Sequence, residues 1–262
     1  MAAILVVSPH LDDAVLSFGG RITELSEAGN DVLVYTVFAG TPVPPYSPVA
    51  EGFHELWNVT GDPVAPRRRE DELATKIVGA TPLHGGFLDS IYRRDEDGDW
   101  LLDDCQPDEF RGGAETPLSA DIAAVIGRLI AEHRPEYAYT CAALGDHIDH
   151  RRARDAAAGA IMRAGVPLSL WADVPYANWS GAIPELPDGL TLGAPAPQFV
   201  GPAAWETKKH AVGCYASQLE MLRDEGRDIF AQLERAMAVQ RAEYDVAGTG
   251  RFEIVWPVET GA

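Results

Sequence analysis

Apolar and polar residues repeat along this chain with two periods, and the switches between them outline a fold. Ile4 to Val7 is a short apolar, β-branched run of the kind that suits a strand covered on both faces. It stops at Ser8-Pro9, where proline cannot donate to a sheet ladder. From Ala14 to Ala28, Val15, Phe18, Ile22 and Leu25 fall near helical spacing, and Gly29-Asn30 ends the run. Asp31 to Phe38 is a second predicted strand. Strand, loop, helix and strand in this order make a βαβ unit, which implies parallel pairing and a right-handed crossover.

The alternation continues to the end of the chain. Thr41 to Pro66 is rich in proline and is predicted as a long loop. Arg67 to Val78 is predicted as a helix and Pro82 to Phe87 as a short strand. The acidic run Asp95 to Asp99 is predicted to tip a hairpin. Ser119 to His133 carries one apolar stripe (Ile122, Val125, Ile126, Leu129, Ile130) between a capping serine and Pro135, so it is a helix. Strands are predicted at Glu136 to Cys141, Pro167 to Val174 and Phe252 to Trp256. Helices are predicted at Asp149 to Ala164, Ala203 to Arg223 and Arg227 to Tyr244. Asn178 to Pro202 has no clear period and is predicted as a second long loop. This pattern is that of an α/β domain with a mostly parallel sheet and helices on both faces. A single domain over 1–262 is expected, with loops 41–66 and 178–202 framing one site.

Composition narrows the function. Lys plus Arg total 21 and Asp plus Glu 40, a net charge of −19 over 262 residues. Nucleic-acid binding needs clustered cations, and an anionic membrane surface attracts them, so neither is an expected partner. No apolar stretch is long enough for a membrane span, and no leader pattern precedes Ser8. Cys105, Cys141 and Cys214 are odd in number and far apart, which suits a reduced cytoplasmic protein.

Two segments concentrate chemistry. Ser8-Pro9-His10-Leu11-Asp12-Asp13 follows the first strand, and Gly145-Asp146-His147-Ile148-Asp149-His150 follows the strand ending at Cys141. In open α/β sheets, ligands bind beyond the carboxyl ends of strands. Acidic residues before a helix can be simple caps, but capping does not require His10. Two such clusters in equivalent places would meet at one rim of the sheet. Two His plus one carboxylate, with a position left open, is a common make-up of a catalytic zinc site. The same donors also accept Fe²⁺ or Co²⁺. Elsewhere, Gly19-Gly20 does not complete a dinucleotide fingerprint, and Asp95, Asp97 and Asp99 lack the glycine of a calcium loop. Trp57, Trp100, Trp171, Trp179 and Trp205 are candidates for stacking on sugar faces, with Trp179 and Tyr176 favoured by their place after a strand.

The two motifs resemble those of the PIG-L/LmbE-like zinc-dependent deacetylases of N-acetyl amino sugars. The resemblance rests on Pro9-His10-Leu11-Asp12-Asp13 and His147-Ile148-Asp149-His150. It extends to Arg67-x-x-Glu70-x-x-x-Ala74, Gly86 to Arg93, Asp173-Val174-Pro175-Tyr176-Ala177, Lys208-x-x-Ala211 and Ser217-Gln218. It implies a Rossmann-like fold and a small-molecule amino-sugar substrate, free or in a glycoconjugate. It implies His10, Asp13 and His150 as zinc ligands and Asp12 as general base. His147 would assist the tetrahedral intermediate, with Asp149 beside it setting its charge and tautomer. Arg67 and Asp89 match sugar-binding positions, and Tyr176 is a further substrate-binding candidate. Some members carry at the position of Gly145 a tyrosine that polarises the amide carbonyl. Here that duty falls to zinc and His147 or to another group. Two alternatives stand beside this reading: a zinc amidase for a larger acyl group or thiol conjugate, and a non-catalytic sugar-binding module.

Overall fold

A computed structural model describes residues 1–58, 61–102, 116–178 and 182–261. The strands are β1 (Ala3–Ser8), β2 (Asp31–Thr36), β3 (Thr81–His84), β4 (Tyr137–Cys141), β5 (Leu168–Trp171), β6 (Leu190–Leu192), β7 (Ala196–Val200) and β8 (Arg251–Thr260). The helices are α1 (Asp13–Glu27), α2 (Pro48–Leu56), α3 (Val64–Ile77), α4 (Thr116–His133), α5 (Ile148–Arg163), α6 (Pro202–Val212), α7 (Ala216–Leu219) and α8 (Ile229–Glu243).

The sheet order is β3-β2-β1-β4-β5-β8-β6, with β7 also paired to β8. The first five strands are parallel, and β8 runs antiparallel to β5, β6 and β7. In β1, Leu5, Val6 and Val7 are buried, as a central strand requires. Helices α1, α3 and α6 pack together, and α4 packs on α5. The order of connections reverses between β1 and β4. Such a switch point opens a crevice beyond the strands' carboxyl ends. Both His/Asp segments begin there.

The core runs through the sheet and its helices, with the Phe18 ring stacked 5.7 Å from Trp171 and tilted 4.6 Å from Tyr139. A smaller cluster of Leu11, Ala50, Trp57, Val64, Ile91 and Leu102 lies under the Pro-rich segment, with Phe53 and Met221 against it. That segment is not a bare loop. Ser47 caps α2, its Oγ accepting from Ala50 N at 2.9 Å, and Pro48 sits in the first turn where its missing N–H costs nothing. The segment predicted as the second loop likewise holds β6 and β7, which extend the sheet edge. The predicted helix Ala203 to Arg223 breaks at Gly213 into α6 and α7. The Asp95–Asp99 turn does tip a hairpin: Arg94 and Trp100 bridge, and Asp95 Oδ1 accepts from the amides of Asp97 and Asp99.

Gly20 answers a need of packing inside α1. A Cβ there would meet Val200 Cγ1 at 2.8 Å and Glu253 Oε1 at 3.0 Å. The Glu253 carboxylate accepts from Gly20 N and Arg21 N and pairs with Lys208 Nζ at 2.7 Å. Among the described residues, no helix is long and apolar enough to cross a membrane.

Candidate active site

The turn from β1 into α1 is tied down by its own polar groups. Ser8 Oγ donates to His10 O and accepts from Ala14 N, and His10 N donates to Asp13 Oδ2 at 2.9 Å. Asp13 opens α1, while Asp12 precedes it without making a side-chain cap bond. Asp12 is therefore buried for a reason other than capping. At the other segment His147 caps α5: its Nδ1 accepts from Asp149 N at 3.1 Å, which leaves the proton of the neutral ring on Nε2.

Across the switch point the imidazoles of His10 and His150 face the same carboxylate. Asp13 Oδ2 lies 3.4 Å from His10 Nδ1 and 3.3 Å from His150 Nε2. Each ring is held from behind by a second carboxylate, His10 Nε2 by Asp149 Oδ2 at 3.0 Å and His150 Nδ1 by Asp173 Oδ1 at 2.7 Å. Asp173 is itself anchored by the amides of Ala142 and Leu144, both at 3.0 Å. A neutral ring that donates its outer N–H to a carboxylate turns a lone pair inward. Two inward lone pairs beside a carboxylate oxygen call for a cation. Tetrahedral metal bonds of about 2.0–2.1 Å set neighbouring donors roughly 3.3 Å apart, which these separations match. Carboxylate–histidine support of this kind is usual behind metal ligands. His10, Asp13 and His150 thus fit a divalent metal. His147 stands close by, with one nitrogen from each of His10, His147 and His150 within 4.8 Å of the others.

The electrostatics agree with the geometry. Burial works against protonated His150, but Asp13 and Asp173 outweigh it and hold its pKa up to about 9. Burial acts on His10 in the same way and is outweighed by Asp89, Asp13 and Asp149, so its pKa lies well above the usual value. The pocket therefore favours positive charge between these rings. Asp12 is pushed up to about 7 by burial and by Asp13, against the opposing pull of Arg67 and His10. His147 is pulled down to about 4 by burial and by His10 and His150.

Asp149 acts on His147 as a charge, its carboxylate opposing the fall of the His147 pKa, while its bonds go elsewhere. Its carboxylate turns to His10, to Ser90 N at 2.8 Å and to the Arg93 guanidinium at 2.6 Å. The group that sets the tautomer of His147 is the backbone amide of Asp149, not its side chain.

These residues open into a cleft of about 660 Å³. Arg67 and Asp89 both line it. The Arg67 guanidinium lies 4.6 Å over the Trp57 ring, and Asp89 Oδ2 is 3.7 Å from His10 Nε2. Tyr176 lines it too, with its ring edge-on to His150 at 5.4 Å. Trp57 is the tryptophan that reaches the cleft among the described residues; Trp171 and Trp205 are buried elsewhere. Trp179 and Cys105 lie outside the described residues. No described residue of 182–202 lines the cleft. Its remaining walls come from α2 through Phe53 and from the stretch Gln218 to Gln232. Sequence reasoning assigned no role to Asp173, Arg93 or Gln218. A carboxylate just past the end of β5, the third strand at this rim, was the available signal for Asp173. Cys141 is buried and its thiol pKa is held far up by burial, so it is no nucleophile.

The fold and the converging His and Asp donors fit a metal-dependent enzyme of the Rossmann-like α/β class. The family described as PIG-L, GlcNAc-PI de-N-acetylase, matches residues 5–161, and the chain belongs to it. The chain is similar to the 2'-N-acetylparomamine deacetylase of Niallia circulans, 28% identical over 211 residues that cover 71% of each protein. It also resembles the zinc-inhibited form of a teicoplanin deacetylase, with a TM-score of 0.90 and 38% identity over 99% of this chain and 98% of that one. The A40926 pseudoaglycone deacetylase is 40% identical over the same shares, with a TM-score of 0.83.

Proposed function

We propose that this chain is a zinc-dependent N-deacetylase that releases acetate from an N-acetylated amino sugar carried on a specialised metabolite. The observation that carries this is the convergence of His10 and His150 on Asp13, each backed by its own carboxylate, with Asp12 alongside and facing the cleft. The deacetylases named above support the reaction. The cleft supports a small-molecule substrate, since pockets that bury drug-sized ligands run at about 300–1,000 Å³.

His10, Asp13 and His150 would hold the ion. When bound, it supplies Lewis-acid polarisation and a water acidic enough to ionise near neutral pH. The chain's own residues do the rest. Asp12, raised by burial above the usual carboxylate range and lining the cleft, can take a proton from the attacking water and return it to the departing amine. His147, neutral at pH 7 with its proton on Nε2, can donate a hydrogen bond to the carbonyl oxygen. Arg67 and Asp89 present a donor and an acceptor for sugar hydroxyls, and Trp57 offers an apolar face to the ring. The free thiols Cys141 and Cys214 suit a cytoplasmic setting.

The test is acetate release from a panel of N-acetylated amino sugars, free and in glycoconjugates, with and without chelator. Activity that chelator removes and zinc restores is the expected result. Since a neighbour is known in a zinc-inhibited form, the titration should be carried past one equivalent and repeated with Fe²⁺ and Co²⁺. Release of longer acyl groups but not acetate would favour the amidase alternative. Binding without turnover on every substrate would favour the sugar-binding module.

A further inference from the structure

One aromatic ring builds the wall of the cleft beside His150. Gly145 stands at φ +83°, and a Cβ there would lie 2.3 Å from Tyr176 Cδ1 and 2.7 Å from Cγ. The ring of Tyr176 therefore rests on bare backbone of the β4–α5 loop, two residues before His147. The same ring meets the His150 imidazole edge-on, at 5.4 Å and 81°.

Its loop is held firmly. Asp173, three residues earlier, is bonded to His150 and to the amides of Ala142 and Leu144. Val174 N donates to Ser17 Oγ at 3.0 Å, and Ala177 N to Asp173 O at 2.7 Å. Tyr176 thus belongs to the same bonded unit as a metal-site histidine. It is the one tyrosine among the described residues lining the cleft.

Amide hydrolysis needs such a donor. As the water oxygen bonds to the carbonyl carbon and its proton passes to Asp12, negative charge collects on the carbonyl oxygen. The charge returns as the C–N bond breaks and the amine leaves with the proton. A preorganised donor aimed at that oxygen lowers the barrier. We propose that Tyr176 is a catalytic residue whose phenol donates a hydrogen bond to the developing oxyanion, and that the absence of a side chain at Gly145 is what lets the ring stand there. This inference rests on the deacetylase reading above.

Tyr176→Phe tests it, because the variant keeps the ring on Gly145 and His150 and removes only the hydroxyl. Turnover of the acetyl substrate is expected to fall about 10²–10³-fold, the usual effect of losing one oxyanion donor, with metal content and melting temperature unchanged. With a trifluoroacetyl substrate the loss should be smaller, since fluorine already stabilises the oxyanion. Equal losses on both substrates would point to packing and overturn the proposal. So would a Phe variant as active as the parent. A parent that releases no acetate overturns the deacetylase reading as well, which separates the two failures.

Discussion

Two clusters of buried charge flank α1, and they are built to opposite ends. Midway along the helix, Lys208 and Glu253 pair at 2.7 Å, and Glu253 also takes the amides of Gly20 and Arg21. That cluster is satisfied from within. At the start of the helix, Asp13 faces two imidazole nitrogens at distances suited to a shared ion, and Asp12 stands beside it without a cap bond. That cluster has its own internal bonds too, including His10 N to Asp13 Oδ2 at 2.9 Å, but its donor atoms converge on one point and it opens into the cleft. Burial of charge alone is therefore no mark of function here. Donor atoms that converge with their lone pairs directed at one point are.

Substitutions can break this comparison. The largest expected effect is at His150: His150→Ala should lose the metal and all acetate release, read by elemental analysis beside the activity assay. Full metal occupancy in that variant would contradict its role as ligand. Next is Asp12→Asn, which should keep the metal and lose about 10²–10⁴-fold in kcat, the usual share of a general base. Unchanged turnover would remove Asp12 from the chemistry. At the self-satisfied cluster, Lys208→Met leaves Glu253 buried without its partner and should destabilise the fold by about 3–5 kcal/mol in urea unfolding. Turnover per folded molecule should stay near that of the parent. A large fall in turnover without a fall in stability would show that the two clusters are not separate. The smallest effect is at Asp173→Ala, where metal affinity should drop about 10–100-fold as the support behind His150 goes. Competition with a chelator of known affinity measures it.

Much of this was legible in the chain. The helices α1, α4 and α5 announce themselves because long periodic runs leave little choice of period, and the parallel strands β1, β2, β4 and β5 because they are short apolar runs between turn residues. The two His/Asp clusters could be placed together because strand ends in an α/β sheet share a rim. Other parts were hidden for physical reasons. Helix α2 lies in a Pro-rich stretch, and the position of Pro48 in its first turn is favourable only once Ser47 is known to cap. Strands β6 and β7 are short, and it is pairing with β8 that makes them strands. The turn of Asp149 toward His10 depends on Arg93 and Ser90, which are distant in sequence. Trp57 reaches the cleft from the C-terminal end of α2, a helix read as loop in the sequence.

The cleft also divides the labour of the chain by position. Most groups proposed to act at the reacting centre, His10, Asp12, Asp13, His147 and His150, lie within residues 5–161, the span shared with the family. The far wall, from Gln218 through Met221 and Leu222 to Gln232, comes from a later stretch. A change in that stretch can reshape the seat for the rest of the substrate while the donor set stays as it is. Retargeting this scaffold to another glycoside then has one natural starting place, a short C-terminal interval whose changes spare the donor set.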